Sequence, residues 1–273
     1  MSSPRPTRRD DFEVAIICAL PLEYDAISYI FDEFWDEDGD QYGRAAGDPN
    51  SYTTGRVGIY NVVLALLPHM GKTSAASAAT SIRSSYGSLR LALLVGVCGG
   101  MPCGRDGEIL LGDVVISKTV VQYDFGRKYP DKFVRKNTVE NNLGRPNKDV
   151  RNLLATFETD RGLDWLEQRT AYFLQQLQAK VAHTKRRGKY DYPGTAEDKL
   201  FEPTYRHKHH VSPSCICRDC FRDSDSVCDE ALSSTCADLG CDDGHLVARE
   251  RLRAKQQSEH DGSDTARQPA VLK

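Results

Sequence analysis

Two groups of residues in this chain have types and spacings that could do chemistry. The first comprises Glu23, which follows the apolar run EVAIICAL and Pro21, and the glycine-rich stretch LALLVGVCGGMP at 91–102. A carboxylate in the first turn of a helix that starts at a strand end either complements the helix dipole or faces a pocket as general acid or base. Gly96, Gly99 and Gly100 let backbone turn or approach a ligand closely. In open α/β sheets ligands sit outside the carboxyl ends of the strands, so both features fall where a pocket is expected. The second group is Cys215, Cys217, Cys220, Cys228, Cys236 and Cys241, with His207, His209, His210 and His245 nearby. Cys217 and Cys220 form a C-x-x-C pair and Cys236–Cys241 a looser one, so Cys215, Cys217, Cys220, Cys236 and Cys241 are the candidate zinc ligands. The alternative is a long polar insertion whose thiols are incidental.

A third stretch, HMGKTS at 69–74, resembles a phosphate loop but lacks its spacing. Leu66 stands where the glycine five residues before the Gly-Lys pair should be, and no acidic residue closes the next apolar strand to hold magnesium. A P-loop NTPase is therefore excluded. Gly71, Lys72, Thr73 and Ser74 still place N–H groups and hydroxyls at a helix start, which suits an anion, a sugar hydroxyl or simple capping.

The elements that must position these residues alternate between strand and helix. Glu13–Leu20 reads as a buried strand. Pro21 then opens a helix with Leu22, Ala26, Ile27, Ile30, Phe31 and Phe34 at helical spacing. A strand at 51–54, a turn at Gly55 and a second strand to Leu67 precede a helix from Lys72 to Tyr86. The six residues Leu91–Gly96 carry no polar break and read as a strand buried on both faces. Ile109–Lys118 holds another strand, beginning near Gly112, and 149–182 reads as helix interrupted near Arg161-Gly162. The class is α/β, a three-layer-like sandwich around a mixed, partly parallel sheet.

Composition bounds the rest. At about 150 residues per domain, 273 residues allow one large domain plus an appendage. The chain is 40% hydrophobic with a mean hydropathy of −0.51, and its apolar runs lie in the first half. With 36 basic and 39 acidic residues the net charge is −3, which argues against nucleic acid as a partner. No membrane-spanning run and no signal core are present, so an intracellular, cytoplasmic chain is expected. Nine cysteines then favour free thiols or metal over disulfides. The expected divisions are a disordered leader (1–10), a main domain (11–210), a Cys/His-rich insertion (211–247) and a charged, mostly disordered tail (248–273) that starts as a short charged helix.

In order and spacing, EVAIICALPLEYDAI, G-x-Y-N-V-V-L, HMGKTSAASAA, LLVGVCGG and GDVVIS resemble the purine and uridine phosphorylase superfamily. More narrowly they resemble the nucleoside phosphorylase-type domain of fungal NOD-like receptor proteins, as does the later KYDYPGTAEDKLFEPTYRHKHH. The resemblance spans about Phe12 to His210. It implies cleavage of a nucleoside N-glycosidic bond with phosphate or water as acceptor, no required cofactor, a small-molecule nucleoside as partner and a homo-oligomer. It also implies that Glu23 positions water, that Met70 and Gly71 line the ribose and nucleophile site, and that Val97, Cys98 and Gly99 face the nucleoside. Two departures matter. Leu94, Val95 and Val97 stand where phosphorylases of the bacterial type carry phosphate-binding Arg and Ser, so water is the expected acceptor. The Phe-Glu-Met-Glu and Cys-Asp-Tyr-Ala-Asp type motifs, which supply a ribose-binding Glu and a base-protonating Asp, do not follow His210. The expectation is a shortened, impaired enzyme; the alternative is a catalytically inactive nucleoside-sensing or interaction module.

Overall fold

The computed structural model describes residues 4–36, 39, 41–104, 107–120, 123–136, 146–182, 190–212, 214–222, 224–260 and 271–272. They divide into two compact units, 1–100 with 159–191, and 101–158 with 192–273.

The first unit is built on β1 (Val14–Cys18), α1 (Pro21–Ser28), β2 (Glu33–Phe34), β3 (Tyr52–Val57), β4 (Tyr60–Leu66), α2 (Lys72–Ser85) and β5 (Leu91–Leu94). The sheet order is β2-β3-β4-β1-β5. β1 runs parallel to both β4 and β5, whereas β3 pairs antiparallel with β2 and β4. This is the expected mixed sheet. Side chains alternate across a strand, and both faces of the two central strands are covered. Ala15, Val63 and Ala65 point to the face packed by Phe12, Trp35 and, from α2, Ile82. Ile16, Cys18, Val62 and Leu64 point to the other, where Phe31 and, from α1, Tyr24 and Ile27 pack. Two-sided burial is why β1 and β4 read as uninterrupted apolar runs.

Several expectations change here. The strand Leu91–Gly96 is not buried on both faces: β5 is an edge strand with β1 as its neighbour, and Leu94 is 75% exposed. An apolar run implies a covered strand only where neighbours exist to cover it. The hairpin turns at Gly58 (φ +62°) between β3 and β4, not at Gly55. Gly55 lies inside β3, where a Cβ would stand 2.3 Å from the Glu33 carbonyl oxygen and 2.5 Å from the Phe31 ring. The helix after Pro21 stops at Ser28, and Glu33–Phe34 pairs as a strand. Residues 4–10 of the expected disordered leader are tied down, with the Arg5 guanidinium donating to the Trp35 carbonyl and the Asp11 carboxylate accepting from the N–H groups of Thr7 and Arg8.

A polar knot holds the loop before β3 to α2. The Asp48 carboxylate accepts from Tyr52 Oη (2.7 Å), Ser85 Oγ (2.5 Å) and the Asn50 N–H (2.9 Å). Burial pushes this carboxyl up, but the Ser85 and Tyr52 hydroxyls, the Asn50 N–H and the nearby Arg44 charge hold it below its ordinary range. Tyr52→Phe removes the hydrogen bond to the Asp48 carboxylate and the one Tyr52 Oη accepts from Asn50 Nδ2 (3.0 Å), and is expected to cost about 1.5–3 kcal/mol, read as a lower urea midpoint at unchanged slope.

The helical region 149–182 is two helices, α3 (Lys148–Phe157) and α4 (Asp160–Ala182). The break falls before Arg161-Gly162 because Thr159 Oγ1 caps the second helix, accepting from the Gly162 N–H at 3.1 Å.

The second unit contains β6 (Cys103–Gly104), β7 (Gly107–Glu108), β8 (Val114–Val115), β9 (Gly126–Lys128), β10 (Phe133–Arg135), α5 (Asp229–Ser233), α6 (Cys236–Leu239), α7 (Glu250–His260) and β11 (Val271–Leu272). The strand expected within Ile109–Lys118, beginning near Gly112, is the short β8. Gly112 (φ +91°) and the Leu110–Asp113 turn precede it, with the Asp113 carboxylate accepting from the Leu110 N–H. The charged tail, where a short helix is expected first, starts with α7, which is fastened at its own start. Arg249, 4% exposed, pairs with Asp198 at 2.7 Å, and the Glu108 carboxylate accepts from the Glu250 and Arg251 N–H groups. The disordered finish expected at 261–270 lies outside the described residues.

Candidate functional site

Because β1, β4 and β5 run parallel, their carboxyl ends share one edge of the sheet. The register sets Cys18 against Leu66 and Ile17 against Leu94. The loops that leave there carry the predicted residues: Ala19–Glu23 after β1, Leu67–Gly71 after β4 and Val95–Gly99 after β5. Hydrogen bonds continue past the strands, from the Leu67 N–H to the Cys18 carbonyl (2.8 Å) and from the Val95 N–H to the Ile17 carbonyl (3.0 Å).

Glu23 sits at the centre of this edge. Pro21 opens α1, so Glu23 is the third helical residue, and its carboxylate turns back over the helix start. Oε2 accepts from the Ala19 and Leu20 N–H groups, each at 2.9 Å. Oε1 accepts from the Val97 N–H at 2.8 Å, joining α1 to the strand-end segment 74 residues away. The residue is 8% exposed. Burial pushes its carboxyl up, but the Val97, Ala19 and Leu20 N–H groups outweigh burial and hold it below the ordinary carboxylate range. Glu23 is therefore an anion at neutral pH. A carboxylate offers about four acceptor positions. Three are filled, which leaves one on Oε1.

Gly96 explains how the carboxylate fits. A Cβ there would lie 2.4 Å from Glu23 Oε1 and 2.7 Å from Cδ. Its φ is not positive, so the glycine serves close approach and not an unusual turn. The sequence signal was the glycine at the strand end. What it makes room for was not legible.

Of the other predicted residues, Met70 and Val97 are 71% and 78% exposed, and Cys98 and Gly99 are also exposed. Gly71 (φ +122°) precedes α2 and its carbonyl accepts from the Ala75 N–H. Of these residues Val97 is joined to Glu23 through its N–H, while Met70, Gly71, Cys98 and Gly99 are exposed in the loops that leave the same strand ends.

The predicted metal ligands do not all converge. Cys215 and Cys217 gather with His209 and Cys228, and Cys236 and Cys241 gather with His207. Cys220 belongs to neither group: its thiol points at the Ser226 and Ile216 carbonyls, at 3.3 and 3.7 Å. A cavity of about 380 Å³ lies in this region, lined by Lys208, Arg206, Arg218 and Phe221 among others. The Lys208 ammonium is occupied by the Arg218 and Cys220 carbonyls and the Phe221 ring.

The family model of the phosphorylase superfamily matches residues 13–181, which contain β1 to α4 and the whole Glu23 edge. The chain belongs to the phosphorylase superfamily. This phosphorylase-superfamily chain is 36% identical over 132 residues to a nucleotide-binding leucine-rich repeat (NLR)-like protein of Hyaloscypha variabilis, a match covering 46% of this chain and 13% of that protein. It is 34% identical over 113 residues to a 5'-methylthioadenosine/S-adenosylhomocysteine nucleosidase of Mycobacterium bovis, covering 41% of this chain and 39% of the nucleosidase. The chain thus spans well under half the length of these curated relatives. Among solved structures it is similar to the futalosine hydrolase of Helicobacter pylori, with 17% identity, a TM-score of 0.39 and 53% and 57% of the two chains covered. No helix among the described residues is long and apolar enough to cross a membrane.

Proposed function

We propose that the Glu23 edge binds a nucleoside and positions water for cleavage of its N-glycosidic bond. The observation that carries this reading is the Glu23 carboxylate, buried, ionised and fixed by three N–H groups, with one acceptor position left at the strand ends. Water hydrogen-bonded there attacks the anomeric carbon. Its oxygen forms the new bond to that carbon, the bond to the base nitrogen breaks with its electron pair leaving on the base, and the water's proton passes to Glu23 or to solvent. A lowered pKa makes Glu23 a strong orienting acceptor and a weak base, which fits positioning better than full proton abstraction. The relatives' names point to purine nucleosides of the 5'-methylthioadenosine kind. Phosphate is the less favoured acceptor, because the strand end is apolar and Glu23 would repel a dianion.

The second reading is nucleoside sensing without turnover, with the open acceptor position on Glu23 Oε1 taking a hydroxyl of the bound sugar in place of water. In the hydrolytic reading the departing base takes its proton from solvent. The test is release of free base from 5'-methylthioadenosine, S-adenosylhomocysteine, adenosine, inosine and uridine, with and without phosphate. Slow release that is insensitive to phosphate and abolished in Glu23→Ala supports hydrolysis. Calorimetric binding with no release supports sensing, and neither binding nor release by the folded chain sinks both.

A further inference from the structure

We propose that the cysteine-rich part of the second unit is a zinc module. One zinc is held by His209, Cys215, Cys217 and Cys228, and a second by His207, Cys236 and Cys241 with its fourth position open to solvent.

His209, Cys215 and Cys228, and His207 with each of its two sulfurs, stand at the separations tetrahedral zinc imposes, and Cys217 Sγ lies within 4.8 Å of its group. With Zn–S of about 2.3 Å and Zn–N of about 2.05 Å, tetrahedral angles put two sulfurs about 3.8 Å apart and a sulfur and a nitrogen about 3.6 Å apart. Cys215 Sγ and Cys228 Sγ are separated by 3.8 Å. His209 Nδ1 lies 3.4 Å from Cys215 Sγ and 3.6 Å from Cys228 Sγ. At the second site His207 Nδ1 lies 3.6 Å from Cys236 Sγ and 3.8 Å from Cys241 Sγ. Within each group all ligand atoms lie within 4.8 Å of one another. A disulfide requires sulfurs about 2.05 Å apart, and all nine cysteines are free thiols.

The surroundings are those of metal ligands. A ligating imidazole usually presents its other nitrogen to a carboxylate or a backbone carbonyl, which fixes its orientation. His209 Nε2 is 3.8 Å from the Glu230 carboxylate, and His207 Nε2 is 3.1 Å from the Ser234 carbonyl. Each histidine therefore turns Nδ1 to the sulfurs. The Cys228 N–H donates to Cys217 Sγ at 3.0 Å, a bond that favours thiolate over thiol. Three sulfurs with one imidazole in a closed tetrahedron suit zinc over the harder cations, which prefer oxygen.

The fold of the segment needs such a staple. Among the described residues its hydrophobic cluster has three fully buried members, Cys217, Ala231 and Leu239, with Cys215, Val227, Cys228 and Cys241 packed against them. A cluster this small does not hold a chain segment by itself, and a structural metal supplies the missing free energy. The four-ligand site is structural, since all four positions are protein side chains. The three-ligand site has the coordination number from which zinc reaches an exogenous ligand.

The test is metal content of the full chain purified without chelator, by elemental mass spectrometry, followed by cobalt substitution. Two zinc ions per chain and an intense cobalt–thiolate charge-transfer band are expected. Cys228→Ser and Cys241→Ser should each remove one zinc, while Cys220→Ser should retain both. One zinc, lost in Cys228→Ser but kept in Cys241→Ser, overturns the second site alone. If the serine variants fail to fold, the wild-type chain still decides the matter. Chelator should hasten tryptic cleavage after Arg206, Lys208, Arg218 and Arg222, and added zinc should slow it again. Absence of both zinc and the cobalt band in the folded chain overturns the proposal.

Discussion

Glu23→Gln is expected to destabilise the first unit by about 2–3 kcal/mol, the worth of a hydrogen bond to a charged group in a buried place. The glutamine carbonyl oxygen can still accept from Ala19 and Leu20, as Oε2 does now. Its amide NH₂ then faces the Val97 N–H, donor against donor, where Oε1 accepted. The anion's favourable interaction with the start of α1 is lost as well, adding a few tenths of a kcal/mol. Chemical denaturation followed by the fluorescence of Trp35, which is 2% exposed in this unit, measures the effect. The pH dependence separates this from a simple packing defect. Glu23 titrates lower in the folded chain than in the unfolded one, so its contribution is fully present above the unfolded carboxyl value of about 4.3. It is lost as pH falls through the lowered folded value. The gap between wild type and Glu23→Gln should therefore be constant near neutrality and shrink on acidification; a gap that does not change below pH ~4 would contradict the assignment.

Glu23 was legible as a candidate because its signal is local: an apolar run, a proline, then a carboxylate in the first turn. β1 and β4 were legible for the same kind of reason, since burial on both faces removes polar residues from a strand and leaves a continuous run. β5 carries the same pattern yet lies at an edge, because cover comes from elements far away in sequence. Residue type alone makes Gly55 a turn, but its reason is the close pass of Phe31 and the Glu33 carbonyl across the sheet. The cysteines show the converse failure. The C-x-x-C spacing selected Cys220, whose sulfur the local 3-10 turn directs to carbonyl groups, while His209 and Cys228 reach the four-ligand group through the fold of the loops between them. Short-range pattern marks a segment rich in sulfur and imidazole but not which of its sulfurs converge.

Gly96→Ala is the sharpest test of the Glu23 edge, and its expected cost is about 2–3 kcal/mol, the range for overpacking a close contact. The added methyl would stand 2.4 Å from Oε1 and 2.7 Å from Cδ. A flexible side chain would normally swing away at little cost. This carboxylate cannot, because retreat breaks its hydrogen bonds to Ala19, Leu20 and Val97. The alternative, displacing the segment after β5, breaks the Val97 bond alone but strains the Val95 N–H bond to Ile17. Either way the penalty belongs to the pair, so it should vanish when the carboxylate is absent. In a Glu23→Ala background Gly96→Ala is expected to be close to neutral, giving a coupling energy of about 2 kcal/mol in a double-mutant cycle. Gly99→Ala supplies the control, since nothing lies within 4 Å of a Cβ there and its effect should stay within about 0.5 kcal/mol. Equal penalties for Gly96→Ala in both backgrounds would mean that the glycine serves the backbone and not the carboxylate. The same cycle bears on function, because a methyl at 96 displaces the Oε1 position proposed to hold water, and base release should fall in Gly96→Ala even where the fold survives.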